Sequence, residues 1–353
     1  MSFSEFDRAM MRRALELAEK GLYSTTPNPR VGCVVTRDQK VLGEGWHERA
    51  GGPHAERVAL RQAEKTEGAT VYVTLEPCNH HGRTPPCVEA LNKARVKRVV
   101  AAMRDPNPKA ARGGEALAAS GIVFEHGLLE VEARELNIGF VSRMTRGRPW
   151  VRMKIAATLD GRTALPDGKS QWITGAEARR DGHRWRARAC AILTGIGTVR
   201  ADDPRLTVRE VDTPRQPLRV IVDSRLETPR NARILQGEQV LVFSSKDGEL
   251  PNAEIVKLPN ANHKVELPAM LEELARRGIN ELHVEAGFRL NGSLAREGCV
   301  DEYLVYLNPS FLGDAAQGML DLPAVPALDK RLSLRVLSLE RLGEDLRILA
   351  RPA

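Results

Sequence analysis

The sequence reads as an α/β protein of two domains, and three observations carry that reading. At 353 residues the chain is long for one hydrophobic core and fits two domains of ordinary size. Helix-like and strand-like runs alternate along it, as in layered α/β architectures. In "TRGRPWVRMKIA" a helical pattern ends, a Gly and a Pro follow, and a strand-like run opens at Trp150. The division therefore falls between residues 147 and 148.

The elements follow in order. "MSFSEFDRAMMRRALELAEKG" is an amphipathic helix with Met10, Ala14, Leu17 and Ala18 on one stripe. Its early acidic residues, with no apolar segment behind them, do not read as a signal peptide. "RVGCVVT" and "KVLGEGWH" form a hairpin, "HAERVALRQAEK" a helix and "ATVYVTLEP" a strand. "PPCVEALNKAR" is a helix, "VKRVVAAM" a strand, "GGEALAASG" a helix and "IVFEHG" a strand, followed by a helical pattern around Glu130–Arg143. That gives a sheet of about five strands. The second half opens with the strand "WVRMKIAATLDG" and the helix "GAEARRDGHRWRARA". Strands follow at "CAILTGIGTV", "LRVIVDS" and "QVLVFSS", then the helix "ELPAMLEELARRG", the buried strand "ELHVEAG" and a helix from about Asn291. Two long strand signals, "DEYLVYLNPSFLG" and "LRVLSLERLGEDLRILARP", end the chain and predict antiparallel strands added to an α/β sheet.

Composition narrows the function. A hydrophobic content of 42% and a charged content of 28% are those of a soluble globular protein. No stretch approaches the roughly 18 continuous apolar residues of a membrane span. Five cysteines are an odd number, and in the cytosol, where the chain is expected to reside, disulfides are rare. The net charge of +7 is spread evenly, without a basic block, so no nucleic-acid partner is expected.

The chemistry concentrates in "GGPHAERVAL" and "LEPCNHHGRTPPC". Pro53 suits a first helical turn, which sets His54 and Glu56 at a helix start. Cys78 follows "LEP", Cys87 follows "TPP", and both are expected at helix starts. The positive end of a helix favours the thiolate that a metal needs. One His and two Cys make three ligands and leave a tetrahedral zinc one open position for water. Zinc lowers that water's pKa to about 7, and Glu56, two residues from the His ligand, can move the protons. This is the His-x-Glu … Pro-Cys … Cys pattern of zinc deaminases, with eight residues rather than two between the cysteines. The alternatives are a packing helix with two inert thiols, or a closed structural zinc taking His80 or His81 as fourth ligand. Cys33, in an apolar strand, reads as buried packing.

"TPNPRVGCV", "GPHAE", "TLEPCNHHGRTPPC", "MRDPNP", "KIAATLDGRTA…SQWIT", "ILTGIGTVRADDPRLTVR", "VIVDS" and "VEAG" together resemble the bifunctional deaminase-reductases of riboflavin biosynthesis. The resemblance runs from about Phe6 to Arg351, and the longer cysteine spacing is that family's own. Asn79 stands where the family usually has Ser, and Phe288 where Pro is common. The resemblance implies a cytidine-deaminase-like α/β/α domain over 1–147 and a dihydrofolate-reductase-like domain with a mixed sheet over 148–353. The first would remove, with zinc, the 2-amino group of 2,5-diamino-6-(5-phospho-ribosylamino)pyrimidin-4-one. The second would reduce the opened ribosyl chain to ribityl with NADPH.

The resemblance also implies roles for residues. Asn28 and His47 would contact the pyrimidine, and Arg83, Asp105 and Asn107 would line the deaminase substrate site, although turn chemistry alone accounts for "TPNP" and "DPNP". Ala156, Trp172, Thr198, Asp202 and Ser224 belong to the NADPH region. So does the stretch Gly287, Phe288, Arg289, Leu290, Asn291, Gly292 and Ser293, whose glycines are expected at a strand-to-helix turn facing a pyrophosphate. Ser170, Arg186, Leu206, Arg209 and Glu285 belong to the substrate, with Arg186 and Arg209 suited to its 5-phosphate. Lys154 and Asp202 would handle protons during reduction. Arg225 or Lys246 would choose NADPH over NADH, and an exposed sheet edge in the second half would make a homodimer or higher homo-oligomer.

Two other classes compete. A nucleic-acid-editing deaminase would leave the second half unexplained, and 4% aromatics with no basic block suit RNA stacking poorly. A zinc-stapled regulatory protein would have no use for Glu56.

Overall fold

The computed structural model describes residues 3–82, 85–238 and 240–353. They fall into two compact units that divide between Gly147 and Arg148.

The first unit runs α1 (Glu5–Glu19), β1 (Gly32–Arg37), β2 (Lys40–Trp46), α2 (Ala55–Gln62), β3 (Thr70–Val73), α3 (Cys87–Lys93), β4 (Arg98–Ala101), α4 (Gly113–Ala119), β5 (Val123–His126), α5 (Glu130–Leu136) and α6 (Ile138–Arg146). Its sheet has the order β2-β1-β3-β4-β5, antiparallel across β2-β1-β3 and parallel from β3 to β5. Helices cover both faces. Gly32 pairs with Trp46 and Cys33 with Gly45, so Gly32 and Gly45 point to opposite sides. A Cβ on Gly32 would meet the α1 backbone at Ala14 O, 1.9 Å away, and one on Gly45 the α2 backbone at Ala59 N, 2.6 Å away. The two helices therefore lie flat on opposite faces of the sheet.

Helix α1 starts with a capping box between Ser4 and Asp7. It buries Met11, Ala14, Leu17 and Ala18; Met10, expected on that stripe, is only half-buried, because the stripe passes through Met11 and Asp7. Asp7 is buried to take the Tyr72 hydroxyl at 2.7 Å and Arg98 at 2.6 Å. The single helical pattern around 130–143 is two helices, broken at Asn137, whose side chain bonds both the N–H and the carbonyl of Arg30.

The second unit runs β6 (Trp150–Thr158), β7 (Arg162–Ala164), α7 (Ala176–Arg188), β8 (Ala191–Gly195), α8 (Ile196–Asp202), β9 (Leu218–Val222), β10 (Val240–Ser244), β11 (Ala253–Lys257), α9 (Leu267–Arg276), β12 (Glu281–Val284), α10 (Phe288–Arg296), β13 (Glu302–Asn308), β14 (Gln317–Gly318), β15 (Leu334–Leu342) and β16 (Asp345–Pro352). Nine strands form a mixed sheet in the order β11-β10-β9-β8-β12-β6-β13-β16-β15, and β7 pairs with β14 apart from it. All strands from β11 to β13 are parallel; β16 and β15 close the sheet antiparallel.

Three expectations need correction here. "CAILTGIGTV" is a strand only to Gly195, which caps α8, so the second part of the run is helical. α10 begins at Phe288 rather than Asn291. The final signal is a hairpin turning at Gly343 (φ +63°), not one strand.

Under α7 the sheet carries a buried cluster of charges beside the apolar Leu304 and Tyr306. Arg152, 2% exposed, reaches Glu302 at 2.5 Å and Glu281 at 3.1 Å, and those carboxylates also take Arg351 and Arg188. The Trp185 ring of α7 lies over the Arg152 guanidinium at 4.4 Å. This layer explains how a helix as charged as α7 packs: its buried face meets partners for its charges.

Candidate functional site

In the first unit the chain brings His54, Cys78 and Cys87 together. His54 is the N-cap of α2 and Cys87 the first residue of α3, as expected. Cys78 is not at a helix start but in the extended segment after β3, and it accepts the Cys87 backbone N–H at 3.4 Å. His54 Nδ1 lies 3.5 Å from Cys78 Sγ and 3.3 Å from Cys87 Sγ. Among the described residues these three make the one group of His, Cys, Asp and Glu side chains with metal-ligand spacing, all donor atoms within 4.8 Å. Both thiols are buried. Bonds from Cys87 and His54 draw the Cys78 thiol down to about 4, whereas its bond to Cys78, with burial, pushes Cys87 well up. Two buried thiols and one imidazole fit zinc in donor type and number. Neither His80 nor His81 joins them; His81 faces Glu89 at 3.2 Å on the surface. Cys33 lies fully buried on β1, outside the group.

Glu56 is the second residue of α2, in its first turn, 3% exposed. Burial raises its pKa, so the carboxyl is poised to hold a proton. His47 stands edge-on to His54, ring centroids 5.5 Å apart. Its Nδ1 meets the Pro53 carbonyl at 3.0 Å and its Nε2 meets Asn28 Nδ2 at 3.0 Å. Those contacts assign the proton to Nδ1, and burial lowers the ring's pKa and keeps it neutral. Asn28 and His47 thus sit together beside the ligands.

Asp105, half-buried, has its pKa pushed up to about 7 by burial, with Glu76 and Cys78 adding to the rise. Its Oδ1 accepts the Asn107 N–H at 2.8 Å. Arg83 lies outside the described residues. Glu76 escaped the sequence reading: its carboxylate accepts the N–H groups of Asp105 (3.1 Å) and Gly114 (2.8 Å). An acid inside the apolar-looking "TLEP" was the available signal.

In the second unit, Lys154 and Ala156 share one face of β6, and Glu285 follows the adjacent β12. Arg186 on α7 grips Glu285 with two bonds, Nε to Oε1 at 2.5 Å and Nη2 to Oε2 at 2.8 Å, and gives Nη1 to the Thr207 carbonyl at 3.0 Å. Three of its five donors are thus committed, so Arg186 orients Glu285. Burial opposes charge on Glu285, but Arg186 and the nearby His283 and Lys154 hold its carboxyl well below the usual range. Burial lowers the Lys154 ammonium, Glu285 opposing. The exposed Arg209 gives Nη1 to the Thr207 carbonyl at 3.4 Å and to Thr207 Oγ1 at 3.1 Å, and Leu206 is buried.

Asp202 ends α8; burial raises its pKa against bonds from Gln171 and Ser170. Trp172, 69% exposed, stacks with Arg179 at 4.8 Å. The N-termini of α8 and α10 adjoin: a Cβ on Gly287 would sit 3.6 Å from Thr198 Oγ1, and one on Gly195 3.1 Å from Leu290. Gly287, Phe288, Arg289 and Leu290 form the start of α10. Asn291, Gly292 and Ser293 do not: Asn291 bonds the Ala286 carbonyl, Gly292 lies against the Asp321 backbone, and Ser293 bonds Arg289 O. Gly292 is a close-packing position inside α10 rather than at the strand-to-helix turn. Ser224, at the end of β9, spends its hydroxyl on the Val265 N–H at 3.1 Å. Arg225 and Lys246 are exposed near it.

A three-ligand zinc group with a buried carboxylic acid on one α/β domain, followed by a second domain with a mixed sheet and converging helix N-termini, defines a zinc deaminase fused to a reductase. Comparison with known proteins agrees half by half: residues 4–103 match the cytidine and deoxycytidylate deaminase zinc-binding region, and residues 149–348 match the RibD C-terminal domain. The chain belongs to the RibD family of riboflavin-biosynthesis proteins. It is 45% identical to riboflavin biosynthesis protein RibD of Escherichia coli K12 over 96% of this chain and 97% of that protein. Among solved structures, Acinetobacter baumannii RibD is 43% identical with a TM-score of 0.94, each chain covered to 99%. A diaminohydroxyphosphoribosylaminopyrimidine deaminase/5-amino-6-(5-phosphoribosylamino)uracil reductase of Thermotoga maritima is 34% identical with a TM-score of 0.91, again over 99% of both. The chain is thus a bifunctional deaminase and reductase of riboflavin biosynthesis, zinc serving the first half and NADPH the second.

Proposed function

We propose that the chain deaminates 2,5-diamino-6-(5-phospho-ribosylamino)pyrimidin-4-one and then reduces the resulting ribosylaminouracil to its ribityl form. The observation that carries the first step is the His54, Cys78 and Cys87 group beside the buried Glu56. These three residues would hold zinc, which would supply Lewis acidity to a water. Glu56 would take the water's first proton and pass it to the ring nitrogen as the oxygen bonds the ring carbon, then take the second from the hydroxyl now on that carbon and pass it to the amine, which leaves as ammonia while the carbonyl forms. Asn28 and neutral His47 hold the pyrimidine, and Asp105 and Asn107 bound the opposite wall.

The adjoining starts of α8 and α10 would hold NADPH, which would supply the hydride for the second step. The hydride goes to the ribosyl carbon that bears the amine, and a proton goes to the ring oxygen as that carbon–oxygen bond opens. Lys154 is suited to give the proton because burial weakens its hold on it. Asp202 stands ready to exchange protons with solvent, Glu285 accepts ribosyl hydroxyls, and Arg209 takes the 5-phosphate. Arg225 and Lys246 are the cations placed to favour NADPH over NADH. The test is stoichiometry: the purified chain, given the diaminopyrimidine and NADPH, should release one ammonia for each NADPH oxidised. NADPH oxidation without ammonia would overturn the order of steps.

We further infer a homodimer in the cytosol. β15 is an edge strand that exposes Leu334, Val336 and Leu339 at 40%, 58% and 60%. Among the described residues no helix is long and apolar enough to cross a membrane, and all five cysteines are free.

A further inference from the structure

Glu76 is buried, 3% exposed, two residues before the ligand Cys78. Among the described residues no cation pairs with it; its two oxygens go to two backbone N–H groups. Oε2 takes Asp105 N at 3.1 Å and Oε1 takes Gly114 N at 2.8 Å. These are the two ends of one surface loop, 105–114. Its own side chains leave Gly114 uncapped, since Arg112, the N-cap of α4, makes no side-chain cap bond. Glu76 supplies that cap from another element.

The loop is the wall of the zinc group. Asn79 N bonds Ala110 O at 3.3 Å, and Ala110 packs in one small cluster with Cys78 and Cys87. Gly113 passes so near that a Cβ there would lie 1.7 Å from Pro77 O. Within the loop, Asp105 Oδ1 takes Asn107 N and Asn107 Oδ1 takes Lys109 N, two turns in series that set where both side chains start.

We propose that Glu76 is a positioning residue for deamination, clamping both ends of loop 105–114 so that Asp105 and Asn107 face the substrate. The proposal rests on the reading of Asp105 and Asn107 as substrate contacts. Glu76 itself touches neither metal nor substrate, and its effect passes through that loop. Contacts that hold substrate and transition state alike act on KM, so loosening the loop raises KM more than it lowers kcat.

Glu76→Gln keeps the shape but turns an NH2 group towards one of the two N–H donors, which breaks one end of the clamp. Ammonia release by the full zinc-loaded chain should show KM raised about tenfold or more, kcat changed by less than about threefold, and zinc content unchanged. Glu76→Ala, which frees both ends, should raise KM further. Asp105→Asn tests the underlying reading separately and should also raise KM. Unchanged KM in Glu76→Gln, with Asp105→Asn impaired, would overturn the clamp and leave the substrate wall standing. Unchanged KM in Asp105→Asn would overturn the wall itself. Loss of zinc in Glu76→Gln, or a lower Tm with unaltered KM, would mean that Glu76 serves Cys78 or the fold alone, and would also overturn the proposal.

Discussion

Cys78 and Cys33 are both buried cysteines of the first domain, yet they differ in what surrounds them. Cys78 has His54 and Cys87 within hydrogen-bond reach, whereas Cys33 has apolar sheet neighbours and a pKa raised by burial. Cys78→Ser should therefore lose the bound zinc, counted by metal analysis of the purified chain, and Cys33→Ser should keep it; equal loss in both would mean a different ligand set. His183 makes a second residue-level test. It is 6% exposed, and burial, with Arg186 and Arg209, pushes its pKa down from an ordinary 6.5 to about 4. The folded state prefers the neutral ring, whose Nδ1 accepts Arg209 N at 3.3 Å. A depressed pKa means that stability is whole above 6.5 and is lost as pH falls from 6.5 through 4. The Tm of the reductase unit should fall over that window, and His183→Gln should flatten the fall.

Among the elements, α7 shows best what the sequence could not reveal. Its pattern announces a helix, but "EARRDGHRWRAR" has no apolar stripe from which to read a buried face. The face is buried because β6, β12 and β13, distant in sequence, bring Arg152, Glu281 and Glu302 under it. Arg152→Met should cost about 3–5 kcal/mol, since it leaves two carboxylates short of a buried partner. Chemical denaturation of the full chain, following the reductase transition, measures this; a change under about 1 kcal/mol would contradict it. Long-range contacts also hid the Arg186–Glu285 pair, since an arginine on a charged helix looks free to bind phosphate until β12 is placed beside it. Gly292 misled for the same reason: Gly-x4-Gly spacing does not show that Asp321 returns to pack on the second glycine. Local signals fared better. His54, Glu56 and Cys87 were readable because helix starts are written in nearby residues, and the β1–β2 hairpin because its strands adjoin.

For the whole molecule, the two-domain α/β plan follows from length and alternation, and the mixed sheet ending in antiparallel strands follows from the last two strand signals. The hairpin within the last signal was hidden because its turn, Leu-Gly-Glu-Asp, sits in a continuous β-like pattern. That hairpin exposes β15, and Val336→Lys with Leu339→Lys should convert a dimer to a monomer in sedimentation. A dimer that survives both charges must use another surface.

The central claim is that one chain carries two separate chemistries, and Glu56→Gln tests it most directly. The amide keeps the shape and leaves His54, Cys78 and Cys87 intact, but it cannot shuttle protons. With zinc content unchanged, ammonia release should fall by about 10²–10⁴-fold. NADPH oxidation on the already deaminated substrate, for which Lys154, Asp202 and Glu285 are the proposed residues, should stay within about twofold of the parent chain. Loss of both activities in a folded, zinc-loaded Glu56→Gln chain, or undiminished ammonia release, would contradict the account.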